Sequence, residues 1–344
     1  MEIISGNYVG VDYHDARLQI CIVSSEGKIL ANRSCRNDIG DCIKLIRQYG
    51  EVQRVCAEAC SGSVEFLEEL SRVTGWDKRL CHPGYVRRMK NNPDKSDKSD
   101  SELIADLDRV DYLPQVWFAP LPIRDLRTLV RYRSQQIESR KKAKLRIRGL
   151  LRRYRVYEEY KTRGLWSKAG LAWLKTLEIF PPQTLWVFKR HLEELSMSEK
   201  SIREVEKELR TFCKTDPMSQ KLLEQAGIGL VSATALRAEV GDFRRFRNGK
   251  QLARFCGLTP CNASSGNRQA DAGLIRAGNP ILKTALIEAT HHLVTRKHHA
   301  DFVKRLKEAG KPYPVIIAAV ANRWVRRLYW IMRNWQEKSN ALSC

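Results

Sequence analysis

The feature that most restricts the folds open to this chain is the order of elements its first 110 residues encode. Tyr8–Asp12 (YVGVD) and Leu18–Val23 (LQICIV) read as strands, and the polar segment Tyr13–Arg17 between them reads as a hairpin turn. Lys28–Ser34 predicts a third strand. Ile39–Tyr49 has helical spacing, with Ile43, Leu45 and Ile46 apolar. Arg54–Glu58 then predicts a strand, Ser63–Thr74 a helix, Lys78–Cys81 a strand and Asp100–Val110 a helix. Strands first in hairpins and then alternating with helices predict a mixed α/β sheet.

The order βββαβαβα is that of an RNase H-like fold, and acids stand at its element ends. Asp12 ends the first strand and Glu58 ends the strand after the first helix. Asp97 and Asp100 lie where the polar stretch Asn91–Leu107 (NNPDKSDKSDSELIADL) turns into a helix. A spacing of three puts both on one helical face. Carboxylates so placed repel unless a cation lies between them. Taken alone, the pair reads as a capped, solvated helix start, because Asp and Ser suit the first turn. Carboxylates at the carboxyl ends of neighbouring strands, however, converge on one sheet edge. Three or four converging oxygens, without sulfur or imidazole, suit Mg²⁺ or Mn²⁺. Two such ions can stabilise both the attacking and the leaving oxygen at a phosphate.

Charge narrows the partner. Lys and Arg number 61 against 39 Asp and Glu, a formal net charge of +22, which points to a polyanion. No apolar run is long enough to span a bilayer and no signal peptide is read, so a cytosolic protein without a membrane partner is expected. The ten cysteines then read as reduced thiols. Cys56 and Cys60, like Cys256 and Cys261, are spaced too widely for a CxxC pair. The pairs His291–His292 and His298–His299 read as helix surface rather than as zinc ligands.

The basic residues concentrate in Ile123–Tyr157, a long helical stretch with a thin apolar line at Leu126, Leu129, Val130, Ile137, Leu145, Leu150 and Leu151. Lys141, Lys142, Lys144 and Arg146 are among its basic residues, and only Asp125 and Glu138 oppose them within the segment. So one-sided a run repels itself, which favours a phosphate backbone along it. Gly164–Leu177 is an amphipathic, tryptophan-bearing packing segment. Thr184–Phe212 reads as a second long helix, interrupted near Ser196–Ser198, with a seam at Leu192, Leu195, Ile202, Val205 and Leu209. Two such helices predict a coiled coil, antiparallel within the chain or between subunits.

Leu222–Ala238 encodes helix, Gly227-Ile228-Gly229, helix, a helix-hairpin-helix-like pattern. It serves either phosphate contact through the second helix's amides or a tight turn without a ligand. Gly257–Gly266 (GLTPCNASSG) predicts a polar loop presenting Ser264 and Ser265. Ile275–Thr290 follows as a helix, with Arg276 and Lys283 near that loop. Val315–Trp335 predicts a terminal helix whose Trp324, Trp330 and Trp335 serve core or interface. The expected division is residues 1–122, an α/β domain; 123–215, a basic helical region; and 216–344, a mostly helical C-terminal domain.

Gly10-Val11-Asp12, Glu58-Ala59-Cys60, Lys95-x-Asp97-x-x-Asp100, Gly227-Ile228-Gly229, Gly257-Leu258-Thr259-Pro260 and Ser265-Gly266 together, in this order, resemble the DEDD transposases of bacterial insertion sequences. This is the insertion sequence 110 family, related to Piv-type DNA invertases. The resemblance spans nearly the whole chain and implies a RuvC-like domain, a helical middle and a C-terminal transposase domain. It implies a bacterial, nucleoid-associated recombinase acting on donor and target DNA. Asp12, Glu58, Asp97 and Asp100 would be its metal-binding catalytic acids and Ser265 its nucleophile, with Ser264 adjacent to it. It further implies an element-encoded structured guide RNA and a tetramer in which one subunit's acids meet another's serine. Ser61-Gly62 after Cys60 departs from the common pattern, as do Arg276 and Lys283 where lysine and arginine are usual, the latter two keeping the charge. The residues themselves leave open a RuvC-like nuclease that hydrolyses DNA with water, and a non-catalytic nucleic-acid-binding scaffold.

Overall fold

Strict alternation along the first strand decides how the sheet is covered. In the computed structural model, which describes residues 6–89, 96–156, 164–262 and 271–341, the chain divides into two compact units, Met1–Ala119 and Pro120–Cys344. The first unit holds a six-stranded sheet of β1 (Asn7–Tyr13), β2 (Arg17–Val23), β3 (Ile29–Arg36), β4 (Val52–Glu58), β5 (Asp77–Cys81) and β6 (Gln115–Val116). The strand order is β3-β2-β1-β4-β5-β6. β1, β2 and β3 pair antiparallel, β1, β4 and β5 pair parallel, and β6 returns antiparallel to β5. The expected mixed sheet is therefore present.

Period-two alternation sends odd and even residues of β1 to opposite faces. Val9 and Val11, with Ile20, Ile22, Val55 and Ala57, form one face. It is covered by α1 (Ile39–Arg47) and α2 (Ser63–Thr74) through Cys42, Ile46, Phe66, Leu67 and Leu70. The other face is made of small side chains: Gly10, Cys21, Cys56 and Cys81. α4 (Asp97–Arg109) lies on it, with α3 (Pro83–Met89) adding Val86. A Cβ on Gly10 would stand 2.0 Å from the Ser101 carbonyl oxygen and 2.7 Å from the Ala105 amide nitrogen. Helix and strand thus touch backbone to backbone, and only glycine fits. α4 begins three residues earlier than the apolar pattern predicts, because Ser96 takes an extended N-cap conformation. α3 was not anticipated.

The second unit contains α5 (Leu121–Arg153), α6 (Lys168–Thr176), α7 (Pro182–Thr215), α8 (Pro217–Leu223), α9 (Leu230–Glu239) and α10 (Gly249–Phe255). These are followed by the strand pair β7 (Pro260–Asn262) and β8 (Asp271–Leu274), then α11 (Pro280–Leu293), α12 (Lys297–Glu308) and α13 (Tyr313–Ala341). α5 and α7 pack together. Arg133 pairs with Glu206, Lys144 with Glu199 and Arg146 with Glu194, so one helix descends as the other climbs. This is an antiparallel pair within the chain. Of the expected seam on α7, Leu195, Ile202, Val205 and Leu209 are buried and Leu192 is half-buried.

The structure corrects several expectations. α7 runs unbroken through Ser196–Ser198, because Ser198 is itself buried between Leu195 and Ile202 and packing holds the helix there. On α5 the expected Leu126, Val130 and Leu151 are buried, but Ala143 and Ile147 complete the stripe, whereas Leu145 is 56% exposed. The stretch Gly257–Gly266, expected to be a polar loop, contains β7, which pairs with β8. α11 starts at Pro280 rather than Ile275, since the Asn279 side chain accepts from the amides of Ile281 and Leu282. Of the histidine pairs, His299 is buried rather than on the surface. Among the described residues no helix is long and apolar enough to cross a membrane.

Candidate functional site

The small-residue face of the first sheet builds the acidic site. Asp12 shares its parity with Gly10, and Glu58 shares its parity with Cys56, so both strand ends project toward α4. Val11 is registered with Ala57, which sets Asp12 and Glu58 side by side on neighbouring parallel strands. Because α4 rests directly on Gly10, its first turn delivers Asp97 and Asp100 to the same edge. Asp100 is buried, 6% exposed, whereas the Asp97 side chain is 55% exposed.

His14 joins them. Its Nε2 lies 3.3 Å from Asp12 Oδ2 and 3.6 Å from Asp97 Oδ2. One ligand atom from each of Asp12, His14 and Asp97 falls within 4.8 Å of the others, a grouping that does not take in Glu58 or Asp100. The Asp12 carboxyl is held above the usual aspartate range. Burial is the main cause, the charges of Asp97 and Asp100 add to it, and His14 opposes it by charge and hydrogen bonding. A carboxylate disfavoured in this way by burial and by neighbouring acids is one that a cation would stabilise. The donor set, two carboxylates and an imidazole nitrogen, fits Mn²⁺ and also Mg²⁺ supported by the remaining acids. Sequence reasoning missed His14. The signal was its position two residues after Asp12, since alternate residues of an extended segment share a side.

The nearby cysteines have no part in this chemistry. Burial pushes the Cys21 and Cys81 thiols up to about 12 and also holds the Cys56 thiol well above the usual thiol range. The Sγ–H groups of Cys56 and Cys81 are aimed at the carbonyls of Val9 and Ala57. All nine described cysteines are free, so they pack as small thiols. A separate buried network behind the site, Arg54 and Arg79 on Asp108, ties β4 and β5 to the far end of α4.

In the second unit, Gly227 and Gly229 are exposed on either side of buried Ile228. Gly227 has φ +84°, and a Cβ there would meet Leu293 at 2.7 Å, so the turn admits no side chain. Gly229 caps α9, and its amide donates to Ser232 Oγ at 3.1 Å. Lys141 and Lys142 face solvent on α5. Lys144 and Arg146, by contrast, meet acids from α7, and the Lys144 ammonium lies 5.0 Å from the Trp166 ring centroid. Part of the one-sided charge of α5 is therefore answered by its antiparallel partner. Arg131 and Asn279 both donate to Glu239, whose side chain is 5% exposed, which fastens α5 and α11 to α9. Arg276 is exposed, and the Lys283 stem lies against Gly257. Ser264, Ser265 and Lys95 lie outside the described residues. By connectivity, the two serines belong to the segment that joins β7 to β8.

The sequence matches two family models: one described as a transposase, over residues 9–156, and one described as the transposase IS116/IS110/IS902 family, over residues 219–306. It is similar to the transposase for insertion sequence element IS1111A of Coxiella burnetii, 26% identical over 83% of this chain and 77% of that protein. It is also similar to a probable family 20 transposase of Pseudomonas aeruginosa, 28% identical over 81% of this chain and 83% of that protein. The transposase for insertion sequence element IS1533 of Leptospira borgpetersenii is 22% identical over 97% of this chain and 98% of its own length.

Proposed function

Because this chain belongs to the IS110 family of transposases, enzymes that act on DNA, we propose that it is a site-specific recombinase cutting and rejoining donor and target DNA through a serine–DNA link. The observation that carries this reading is the meeting of Asp12, His14 and Asp97 at one sheet edge, with the charge of Asp100 acting on Asp12. In it, residues 1–122 form a RuvC-like domain whose Asp12, Glu58, Asp97 and Asp100 hold Mg²⁺ or Mn²⁺. Bound there, the metal neutralises charge developing on the phosphate. Residues 123–215 supply a basic helical region and 216–344 the C-terminal transposase domain.

Ser265 is the proposed nucleophile. Its hydroxyl oxygen loses its proton and forms a bond to phosphorus, the bond to the 3′ or 5′ oxygen breaks, and the departing oxygen takes up a proton, so that one proton is given up for each one taken. The acids then act on a phosphate brought by the DNA itself, within one chain or across a tetramer. The exposed Lys141 and Lys142, together with Arg146 and Lys144, Gly227 and Gly229, and Arg276 and Lys283, form the proposed nucleic-acid contacts. Helix-hairpin-helix-like phosphate binding at Gly227–Gly229 and a structured guide RNA on α5 belong to this reading.

The test is cleavage of element-end DNA by the full chain. Asp97→Asn should abolish cleavage and leave nucleic-acid binding largely intact. Trapping on nicked DNA should give a nucleotide linked to the Ser265 peptide by mass spectrometry. Cleavage undiminished in Asp97→Asn or in EDTA removes the metal site from the mechanism. Normal recombination by Ser265→Ala removes the nucleophile.

A further inference from the structure

A groove of about 1030 Å³ lies in the second unit between the β7–β8 pair and α13, at the upper end of the size of small-ligand pockets, roughly 300–1,000 Å³. Its walls include Leu274, Phe302, Val315 and Trp330, and its rim carries Arg323, Arg326 and Arg327. Among the described residues no carboxylate lines it. Residues 323, 326, 327 and 330 follow the i, i+3, i+4, i+7 spacing of one helical face. α13 therefore presents three guanidinium groups and an indole side by side.

This apolar surface is left open: Trp330 is 52% exposed and Val315 46%. Trp330 is braced edge-on by buried Tyr329, with ring centroids 4.9 Å apart at 73°. The Arg323 guanidinium lies 4.9 Å from the centroid of the Phe302 ring. Aromatic faces beside cations match the chemistry of an unpaired nucleotide, whose base stacks while its phosphate pairs with arginine. A duplex would use the arginines but hides its base faces, so the aromatic walls would serve nothing. A second copy of this chain brings the same +22 charge to three arginines. The β-strand wall of the groove, through Pro260, Gly273 and Leu274, belongs to the strand pair whose connecting segment contains Ser264 and Ser265. A strand exchanged between donor and target DNA must part from its first complement.

We propose that this groove holds unpaired nucleotides of the DNA strand being processed, bases against Trp330 and Phe302 and phosphates on Arg323, Arg326 and Arg327. The inference rests on the DNA-processing reading and adds to it a single-strand subsite that the acidic site does not supply.

The experiment uses the full-length protein and matched single-stranded and duplex DNA carrying 5-iodouracil. Ultraviolet crosslinking followed by peptide mapping should place the single-stranded adduct on the Trp330 or Phe302 peptide. Trp330→Ala should weaken single-stranded DNA about tenfold, as loss of a base-stacking aromatic does, and leave duplex affinity unchanged. Trp330→Phe should restore most of it. Since Trp330 is half-exposed, an unchanged far-ultraviolet spectrum and thermal midpoint are expected of both variants. Equal losses on single-stranded and duplex DNA would overturn the proposal. So would adducts formed only with RNA of the same sequence, or a changed oligomeric mass with unchanged single-strand affinity, which would make the groove a protein contact. If duplex binding and metal-dependent cleavage persist while the single-strand arm fails, only this subsite falls. A protein that binds no DNA at all would remove the parent reading as well.

Discussion

Replacing Asp12 by asparagine should make the metal-free protein more stable and leave it almost indifferent to metal. The Asp12 side chain is 17% exposed, and its ligand oxygen lies within 4.8 Å of that of Asp97. Two unit charges at that distance repel by roughly 3.5 kcal/mol at an effective dielectric of about 20. Asp97 is 55% exposed, so solvent screening and the nearby His14 reduce the net repulsion to about 1 kcal/mol. Asn keeps the shape and removes the charge. In EDTA near neutral pH the variant should therefore unfold about 2–4 °C higher. The sign depends on pH in a defined way. The Asp12 carboxyl is raised in the folded state, so below the ordinary value of 3.8 it is protonated in both states and contributes nothing. As pH rises from there through the raised folded value, folding is increasingly penalised. The advantage of Asn should appear across that window and vanish below it. Metal reverses the comparison. At a hundred times its Kd a cation adds about 2.7 kcal/mol to the wild type and little to the variant. Thermal unfolding followed by circular dichroism, with EDTA against Mn²⁺ or Mg²⁺, reads both effects. A variant less stable than wild type in EDTA, or stabilised by metal as much as wild type, would refute the reasoning.

Gly10→Ala drives a methyl into the Ser101 carbonyl, so it should destabilise by about 3 kcal/mol or more and erase the metal-dependent shift in melting temperature that the same assay reads. Lys141→Glu with Lys142→Glu should lower affinity for structured RNA and flatten its dependence on salt, by a slope of about 0.7 per lost single-strand phosphate contact; unchanged filter-binding curves from 50 to 200 mM salt would take α5 out of the RNA interface. Mixing Asp12→Ala protein with Ser265→Ala protein should restore part of the recombination that neither shows alone, and its absence in confirmed mixed assemblies would place both halves of the site within one chain.

The sheet was legible because its strands carry their burial in alternation: Val9, Val11, Ile20 and Ile22 announce one covered face. The opposite face was less legible. Gly10, Cys21 and Cys56 are small, and nothing local says that a helix from residue 97 will rest on them. Asp12, Glu58, Asp97 and Asp100 were singled out from element ends alone, and of these the structure groups Asp12 and Asp97 with His14, which was passed over because it sat in what looked like turn. The extra residue of β1, Tyr13, paired with Leu18, is what carries His14 to the site. On α5 the apolar line was nearly right, but a thin seam leaves the choice between Leu145 and Ile147 to the partner helix, which lies some fifty residues away in sequence. That same partner supplies Glu194, Glu199 and Glu206, acids that no window around α5 contains. β7 and β8 are too short to show a period, and only pairing with each other makes them strands.

The antiparallel pairing of α5 and α7 also makes that part of the chain a ruler. At about 1.5 Å per residue, the 33 residues of α5 measure about 50 Å, the axial length of about fifteen base pairs at 3.4 Å each. Two helices held by one seam can change length only together. Seven residues added to α5 and seven opposite them to α7 preserve every facing contact and lengthen the arm by about 10 Å. An unmatched insertion instead slides Arg133 off Glu206 and Lys144 off Glu199. An arm of another length built on the same seam would therefore differ by paired heptads.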